Sequence, residues 1–298
     1  MRSLLTRKYR VLCYSTEIAG LKHAEEIMKS NIPRYRVEPG EPIHLKDIDP
    51  DETGPYQVKD EVEDELKHQR ERIEALQERL YAESKQSLLI VLQAMDTGGK
   101  DGTIAHVFEG VNPQGCRVES FKVPTEEDLA HDFLWRVHML APRKRMVTIF
   151  NRSHYEDVLV ARVHHLVPPP VWHERYRLIN EFEQTLAVTG TTIIKFFLFI
   201  SKDEQKKRLE SRLKDPTKHW KFASGDLSER ALWDAYMAAY EDAINACSTT
   251  YAPWYVVPAN KKWYRNLVVA RTIADTLDAM NPQYPPPEKG IEHITISD

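Results

Sequence analysis

"VLQAMDTGGKDGT", Val91–Thr103, decides how this chain is read. It comes close to the phosphate-binding loop G-x-x-x-x-G-K-[ST] and misses at both ends. Ala94 stands at the first glycine position and Asp101 at the Ser/Thr position, while Gly98, Gly99 and Lys100 are in place. An apolar run enters the loop and a helical pattern leaves it. In that setting successive backbone N–H groups bind anions, and glycine lets a phosphate approach closely. The alternative is a tight strand–helix turn with an exposed lysine. The strand–Gly-Gly-Lys–helix order favours phosphate, with Lys100 reaching a bridging or terminal oxygen.

The pattern outward from the loop alternates. Residues 87–93, 117–123, 145–151, 191–200 and 254–259 are short, apolar and β-rich, as buried parallel strands are. Helical patterns fill about 100–110, 125–140, 154–165, 170–189, 202–214, 227–247 and 262–280. Such alternation predicts an α/β fold, a doubly wound, five-stranded parallel sheet flanked by helices. Upstream, residues 37–65 form an acidic, proline-punctuated arm with eleven Asp/Glu against Lys46 and Lys59. A helix follows to about residue 85. Its Val62, Leu66, Ile73, Leu76 and Leu80 share one face, suited to packing on the main domain rather than to a coiled coil of about three heptads. The domain reading is an extension over 1–36, a single phosphate-loop domain over 37–280 with its core from 86, and a proline-rich tail over 281–298, expected to be mobile.

Bulk properties narrow the classes. The chain has 298 residues, 42% hydrophobic and 29% charged, with a net charge of -4. That balance argues against a nucleic-acid-binding protein, although local basic patches remain available. Cys13, Cys116 and Cys247 make no C-x-x-C pair, which fits a reduced, cytoplasmic setting. No stretch approaches the roughly 18 apolar residues of a membrane helix. Arg7, Lys8 and Arg10 break up the only candidate leader.

Further candidates gather around the loop. "TIFNRSHYED" places Asn151 and Arg152 at the C-terminal edge of a strand, where open α/β sheets bind ligands. The guanidinium of Arg152 can bridge two phosphate groups. Asn151 stands where phosphate-loop enzymes often carry a metal-holding Asp. Asp96 and Asp101 flank the glycines, and a carboxylate beside phosphate needs an intervening cation. Asp96 is therefore the metal candidate, for magnesium with manganese as the alternative. Asp101 also suits the start of a helix by charge alone. Residues 201–222 hold eight Lys/Arg against four Asp/Glu, with Arg208 and Arg212 on one helix face, followed by Lys218 and Lys221. A solvated basic helix would look the same. After the fourth strand, nucleoside monophosphate kinases carry a basic closing lid, here spanning about 202–228. Lys122 ends the second strand, placed to touch an acceptor phosphate. Thr125 and Asp128 form a capping-box variant. Asp132 and Arg136, one turn apart, suit an ion pair as well as a ligand contact. His154, His164 and His165 lack carboxylates at metal-site spacing and read as ordinary helix histidines.

Together "MDTGGKDGT", "GVNPQGCRVESFKVPTEEDLAHDFLWRVH", "FNRSHYEDVLVARVH", "EQKKRLESRLKDPTKHWKF" and the segment from "WDAYMAAYEDA" to "WYVVPANKKWYRN" closely resemble polyphosphate kinase family 2. The resemblance runs from about Val37 to Met280. Glu156 in "FNRSHYED" resembles the class III group. The resemblance implies a thymidylate-kinase-like phosphate-loop fold, and a polyphosphate-dependent kinase acting on AMP and ADP, reversible in principle. It implies Asp96, Lys100 and Arg152 as catalytic positions and Asp96 as magnesium ligand. Polyphosphate contacts fall on Gly98, Gly99, Lys100, Asp101, Gly102, Thr103, Arg208, Arg212, Lys218 and Lys221. Nucleotide contacts fall on Lys122, Asn151, Arg152 and Glu156. It also implies a homo-oligomer, dimer or tetramer. Two features depart from the family pattern: Ala94, and the first twenty or so residues. An ATP-dependent nucleoside monophosphate kinase of the same fold is the alternative. A non-catalytic nucleotide sensor acting through the 60–85 helix is a third reading.

Overall fold

The computed structural model describes residues 35–223 and 225–296, together with Lys22. The expectations for an N-terminal extension and for the absence of a leader lie outside these residues, apart from Lys22, Tyr35 and Arg36. In chain order, helix α1 (Glu63–Glu83) leads into β1 (Ser87–Gln93) and α2 (Lys100–Val107). Then come β2 (Cys116–Ser120), the short helices α3 (Glu126–Ala130) and α4 (Trp135–Leu140), β3 (Val147–Asn151), α5 (Val160–Val163), α6 (Pro169–Val188) and β4 (Thr191–Phe199). The remainder holds α7 (Lys202–Lys214), α8 (Gly225–Ala231), α9 (Trp233–Cys247), β5 (Trp254–Pro258) and α10 (Lys262–Met280).

The five strands are all parallel, in the order β2-β3-β1-β4-β5. Every residue of β1, β4 and β5 is buried, so these runs are mainly apolar on both faces, with Lys195 the one charged residue among them. Burial of each such Leu, Ile or Phe contributes about 1.5–3 kcal/mol. β2 lies at the edge and is partly exposed, which matches its mixed sequence. β1 occupies the centre, with β3 on one side and β4 on the other. The loop after β1 therefore opens at the point where the strand order reverses, the ligand crevice of an open α/β sheet.

The amphipathic 60–85 pattern becomes α1, which packs along α10. Val62, Ile73, Leu76 and Leu80 are buried and Leu66 packs against the core at its margin. The acidic arm is pinned at its start: the Val37 N–H donates to the Trp254 carbonyl, and the Val256 N–H to that of Tyr35. Three predicted helices are interrupted. The 125–140 pattern breaks because the Asp132 carboxylate accepts the Leu134 N–H at 2.9 Å and starts a new helix. Asp132 thus makes no pair with Arg136, which donates to the Lys122 carbonyl at 3.0 Å. The 154–165 pattern begins as a 3-10 turn, His154–Asp157, before α5. The 227–247 pattern divides between α8 and α9 at Leu232. The Thr125–Asp128 capping box forms as the sequence implies. Trp233, Tyr236 and Tyr240, at helical spacing on α9, are buried.

Candidate active site

The loop between β1 and α2 is shaped by its neighbours. Thr97 and Gly99 take left-handed backbone, with φ of 65° and 101°. A Cβ on Gly99 would lie 1.9 Å from a terminal nitrogen of Arg265. A Cβ on Gly98 would lie 2.4 Å from the Cβ of Ala94. The Ala94 methyl is buried under the loop, and a Cβ on Gly98 would also lie 2.8 Å from the Met95 carbonyl, so residue 98 has to be glycine. The Ala94 carbonyl in turn accepts from Lys100 Nζ at 2.9 Å.

Lys100 sits where its charge is costly. Burial, with Arg152 adding to it, lowers the Lys100 pKa to about 8, against the opposing pull of Asp96 and Glu156. The β3 edge supplies Asn151 and Arg152. The Asn151 amide donates to Asp101 Oδ1 at 2.7 Å, tying this edge to the first turn of α2. Arg152 is itself left-handed, with φ of 61°, and its N–H donates to the Leu92 carbonyl at 3.0 Å. Its guanidinium donates to Asp96 Oδ1 at 2.9 Å and lies 3.9 Å from Glu156. Burial works against the charge of Arg152, but Glu156 and Asp96 outweigh it and hold its pKa above the ordinary value. Burial raises the Glu156 carboxyl, even with Arg152 and Lys100 nearby.

Two cavities flank the glycines and share Thr97, Gly99, Gly102, Arg212 and Lys221 as walls. The larger, about 510 Å³, is lined by seven Lys and Arg against one carboxylate, Glu204. No aliphatic or carbocyclic aromatic residue lines it, and the apolar part of its wall belongs largely to Lys and Arg stems. The smaller, about 390 Å³, mixes signs: Asp96, Asp101 and Asp226 face Lys100, Arg152, Arg212 and Lys221, with Phe121 at its side. Lys218 lines the larger cavity and pairs with Asp215 at 2.7 Å.

Several predicted contacts change character. Thr103 is fully buried, and its hydroxyl donates to the Gly99 carbonyl at 3.0 Å. It closes the first turn of α2 instead of facing the cradle. Arg208 is only 8% exposed. Its donors go to Glu204 and to the carbonyls of Thr97, Gly98, Ala259 and Asn260. It is a strut under the loop, adding charge to the larger cavity without donors to spare. Lys122 is exposed and lines neither cavity. His154 is fully buried against Glu183 and is not an ordinary helix histidine.

The sequence reading missed three residues. Arg265, 2% exposed, reaches under Gly99 from α10, and burial together with Arg208 lowers its pKa to about 9. Gln205 donates to the Asp96 carbonyl at 3.1 Å. Asp226, in α8, has a buried Oδ2 that accepts no hydrogen bond and lies 3.6 Å from Arg212. Burial and then the charge of Asp96 raise its carboxyl. Arg265 and Asp226 come from distant segments, and no local pattern announces either.

The chain is similar to known proteins along most of its length. The pattern of the family described as Polyphosphate kinase 2 (PPK2) matches residues 56–285. The AMP/ADP-polyphosphate phosphotransferase of Meiothermus ruber is 58% identical over 88% of this chain and 99% of its own. The ADP-polyphosphate phosphotransferase of Rhodopseudomonas palustris is 44% identical, over 87% and 93%. The crystal structure of Polyphosphate Kinase 2 from Arthrobacter aurescens superimposes with a TM-score of 0.84 at 46% identity, covering 87% of this chain and 93% of that one.

Proposed function

The chain belongs to the polyphosphate kinase 2 family, and from that premise we propose that it transfers a phosphoryl group from inorganic polyphosphate to AMP and ADP, forming ADP and ATP. The observation that carries the choice of donor is the larger cavity. Seven cations and the absence of any aliphatic or carbocyclic aromatic residue suit a polyanion that has neither base nor ribose. A nucleoside triphosphate donor would call for apolar and aromatic surface around its base. The smaller cavity, with mixed charges and Phe121, suits the acceptor phosphate and the point of transfer. AMP as well as ADP is supported by the Meiothermus relative.

The acceptor oxygen is already anionic, so no general base is required. The work of the site is positioning and charge neutralisation. In this reading Lys100 and Arg152 approach the transferring group from two sides, and the loop N–H groups hold the donor chain. Lys218 and Lys221 draw that chain along the larger cavity, and Arg212 stands where the two cavities meet. The residues also fit a magnesium ion. Asp96 would hold it, and the buried Asp226 Oδ2, which accepts no hydrogen bond, offers a second oxygen on the same cavity. Bound there, the ion would neutralise phosphate charge. Manganese suits the same oxygens. No described helix is long and apolar enough to cross a membrane, and the proposed setting is the cytoplasm, with the chain as a homo-oligomer.

The test uses AMP and pure polyphosphate without ATP. ADP appears first and ATP follows. If neither forms, the polyphosphate reading fails and the ATP-dependent alternative takes its place. The pH profile gives a second check. Lys100 acts as a cation, and its pKa is lowered to about 8. It is charged below that value and loses its proton above it. Since kcat/KM reports the free enzyme, kcat/KM for polyphosphate should fall above about pH 8, by roughly tenfold per unit. In Lys100→Arg, whose charge persists, that limb should vanish. An unchanged limb in this variant assigns it to another group.

A further inference from the structure

Two residues beyond Arg152 the chain turns inward, into a charged cluster that the proposed transfer does not use. Lys195 on β4 and Glu183 on α6 are fully buried and form a direct ion pair. Lys195 Nζ also donates to the Tyr155 hydroxyl at 2.9 Å and to the Cys247 carbonyl at 2.8 Å. The Tyr155 hydroxyl donates to Glu183 Oε1 at 2.9 Å, and His154 Nε2 lies 3.2 Å from the same oxygen. Burial alone would raise the Glu183 carboxyl, but Lys195 and His154 outweigh it and hold it below the ordinary value. Such pairs add little stability, because desolvation offsets their attraction, and apolar side chains could fill the same space. What a buried polar network can supply is one defined geometry.

The geometry it defines is that of residues 152–157. Arg152 holds a left-handed backbone that a non-glycine residue seldom adopts. Ser153 Oγ accepts from the Gln93 amide at 3.1 Å and from the Tyr155 N–H at 3.2 Å. His154 and Tyr155 descend into the cluster, and the Tyr155 ring meets Trp254 edge-on at 4.8 Å. Arg175 holds the Asp157 carbonyl at 2.8 Å. Between these anchors Arg152 reaches the smaller cavity, with Glu156 3.9 Å away.

We propose that Tyr155, Glu183 and Lys195 are positioning residues for the transfer: their buried network fixes the left-handed turn that aims Arg152 and Glu156. This rests on the reading of Arg152 as a group on the transferring phosphate. A misplacement of about 1 Å at such a group can cost on the order of 10²-fold in rate.

Tyr155→Phe removes the hydroxyl and keeps the ring against Trp254. With AMP and polyphosphate, well below its melting temperature, it should lower kcat by about 10- to 10²-fold. KM for polyphosphate should stay within twofold, because residues 152–157 do not line the larger cavity. Leu80→Ala, a core change in α1, serves as a control for lost stability and should leave kcat unchanged. The decisive readout is a double-mutant cycle: in an Arg152→Ala background, Tyr155→Phe should have no further effect on kcat. Glu183→Gln is run alongside, so that a folding failure in one variant leaves the other. If Tyr155→Phe and Glu183→Gln keep kcat within twofold, or lower it equally with and without Arg152, the proposal is overturned. A wild-type protein inactive with polyphosphate would instead overturn the functional reading, and the two failures are distinct.

Discussion

Arg152→Lys lowers kcat for polyphosphate-driven phosphorylation of AMP by on the order of 10³-fold, measured at saturating substrates. Charge is conserved in this variant, so the loss reads geometry. The guanidinium donates to Asp96 at 2.9 Å while lying 3.9 Å from Glu156. A planar fork can address two groups at once, whereas an ammonium is a single point of charge. Backbone strain does not confuse the comparison, since arginine and lysine bear a left-handed φ equally. The Arg152 N–H to Leu92 carbonyl bond is also kept. The melting temperature should therefore change little. A loss below tenfold would mean that positive charge suffices at this position and that the fork has no part in the transfer.

The sheet was open to reading because β1, β4 and β5 are buried on both faces, which leaves mainly apolar runs. β2 was placed too far along the chain, since an edge strand of mixed burial has no sharp end. The helix breaks at Asp132 and Leu232 were hidden for a different reason. Apolar spacing continues across them, and the interruption comes from a side-chain cap at one and from tertiary placement at the other. At the site, Asp96, Lys100 and Arg152 were legible because loop and strand edge are adjacent by topology. Arg208 was legible as a cation but not as a strut. A basic residue on a basic helix reads as solvated, and its acceptors at Thr97 and Gly98 lie 111 and 110 residues away. Arg265 reaches the Gly98 carbonyl across 167 residues, and "KKWYRN" contains nothing that points there. From sequence alone Ala94 is a departure from the loop's glycine pattern. In three dimensions its methyl, together with the Met95 carbonyl, leaves no room for a Cβ at Gly98.

Asp96→Asn should abolish metal-dependent turnover, by on the order of 10³-fold, while leaving the fold intact. The amide matches the carboxylate in size, so packing beneath the loop is kept, including the Gln205 bond to the residue 96 carbonyl. What is lost is charge. The ion pair with Arg152 is partly exposed on both sides, and such pairs contribute about 0–1 kcal/mol, too little to unfold the domain. The metal is the larger issue. A magnesium ion prefers one or two carboxylates with phosphate oxygens and waters, and without Asp96 the smaller cavity keeps Asp226 and Asp101. Asp101 is the weaker substitute, because its Oδ1 already accepts from Asn151 at 2.7 Å. Wild-type activity should disappear with a chelator and return with added magnesium or manganese. The variant should show no return at the same metal concentrations, with an unchanged circular dichroism spectrum. Full activity in Asp96→Asn would move the metal site to Asp101 or Asp226. The single variants Asp101→Asn and Asp226→Asn would then separate those two, since only the true ligand's loss shifts the magnesium concentration needed for half-maximal rate.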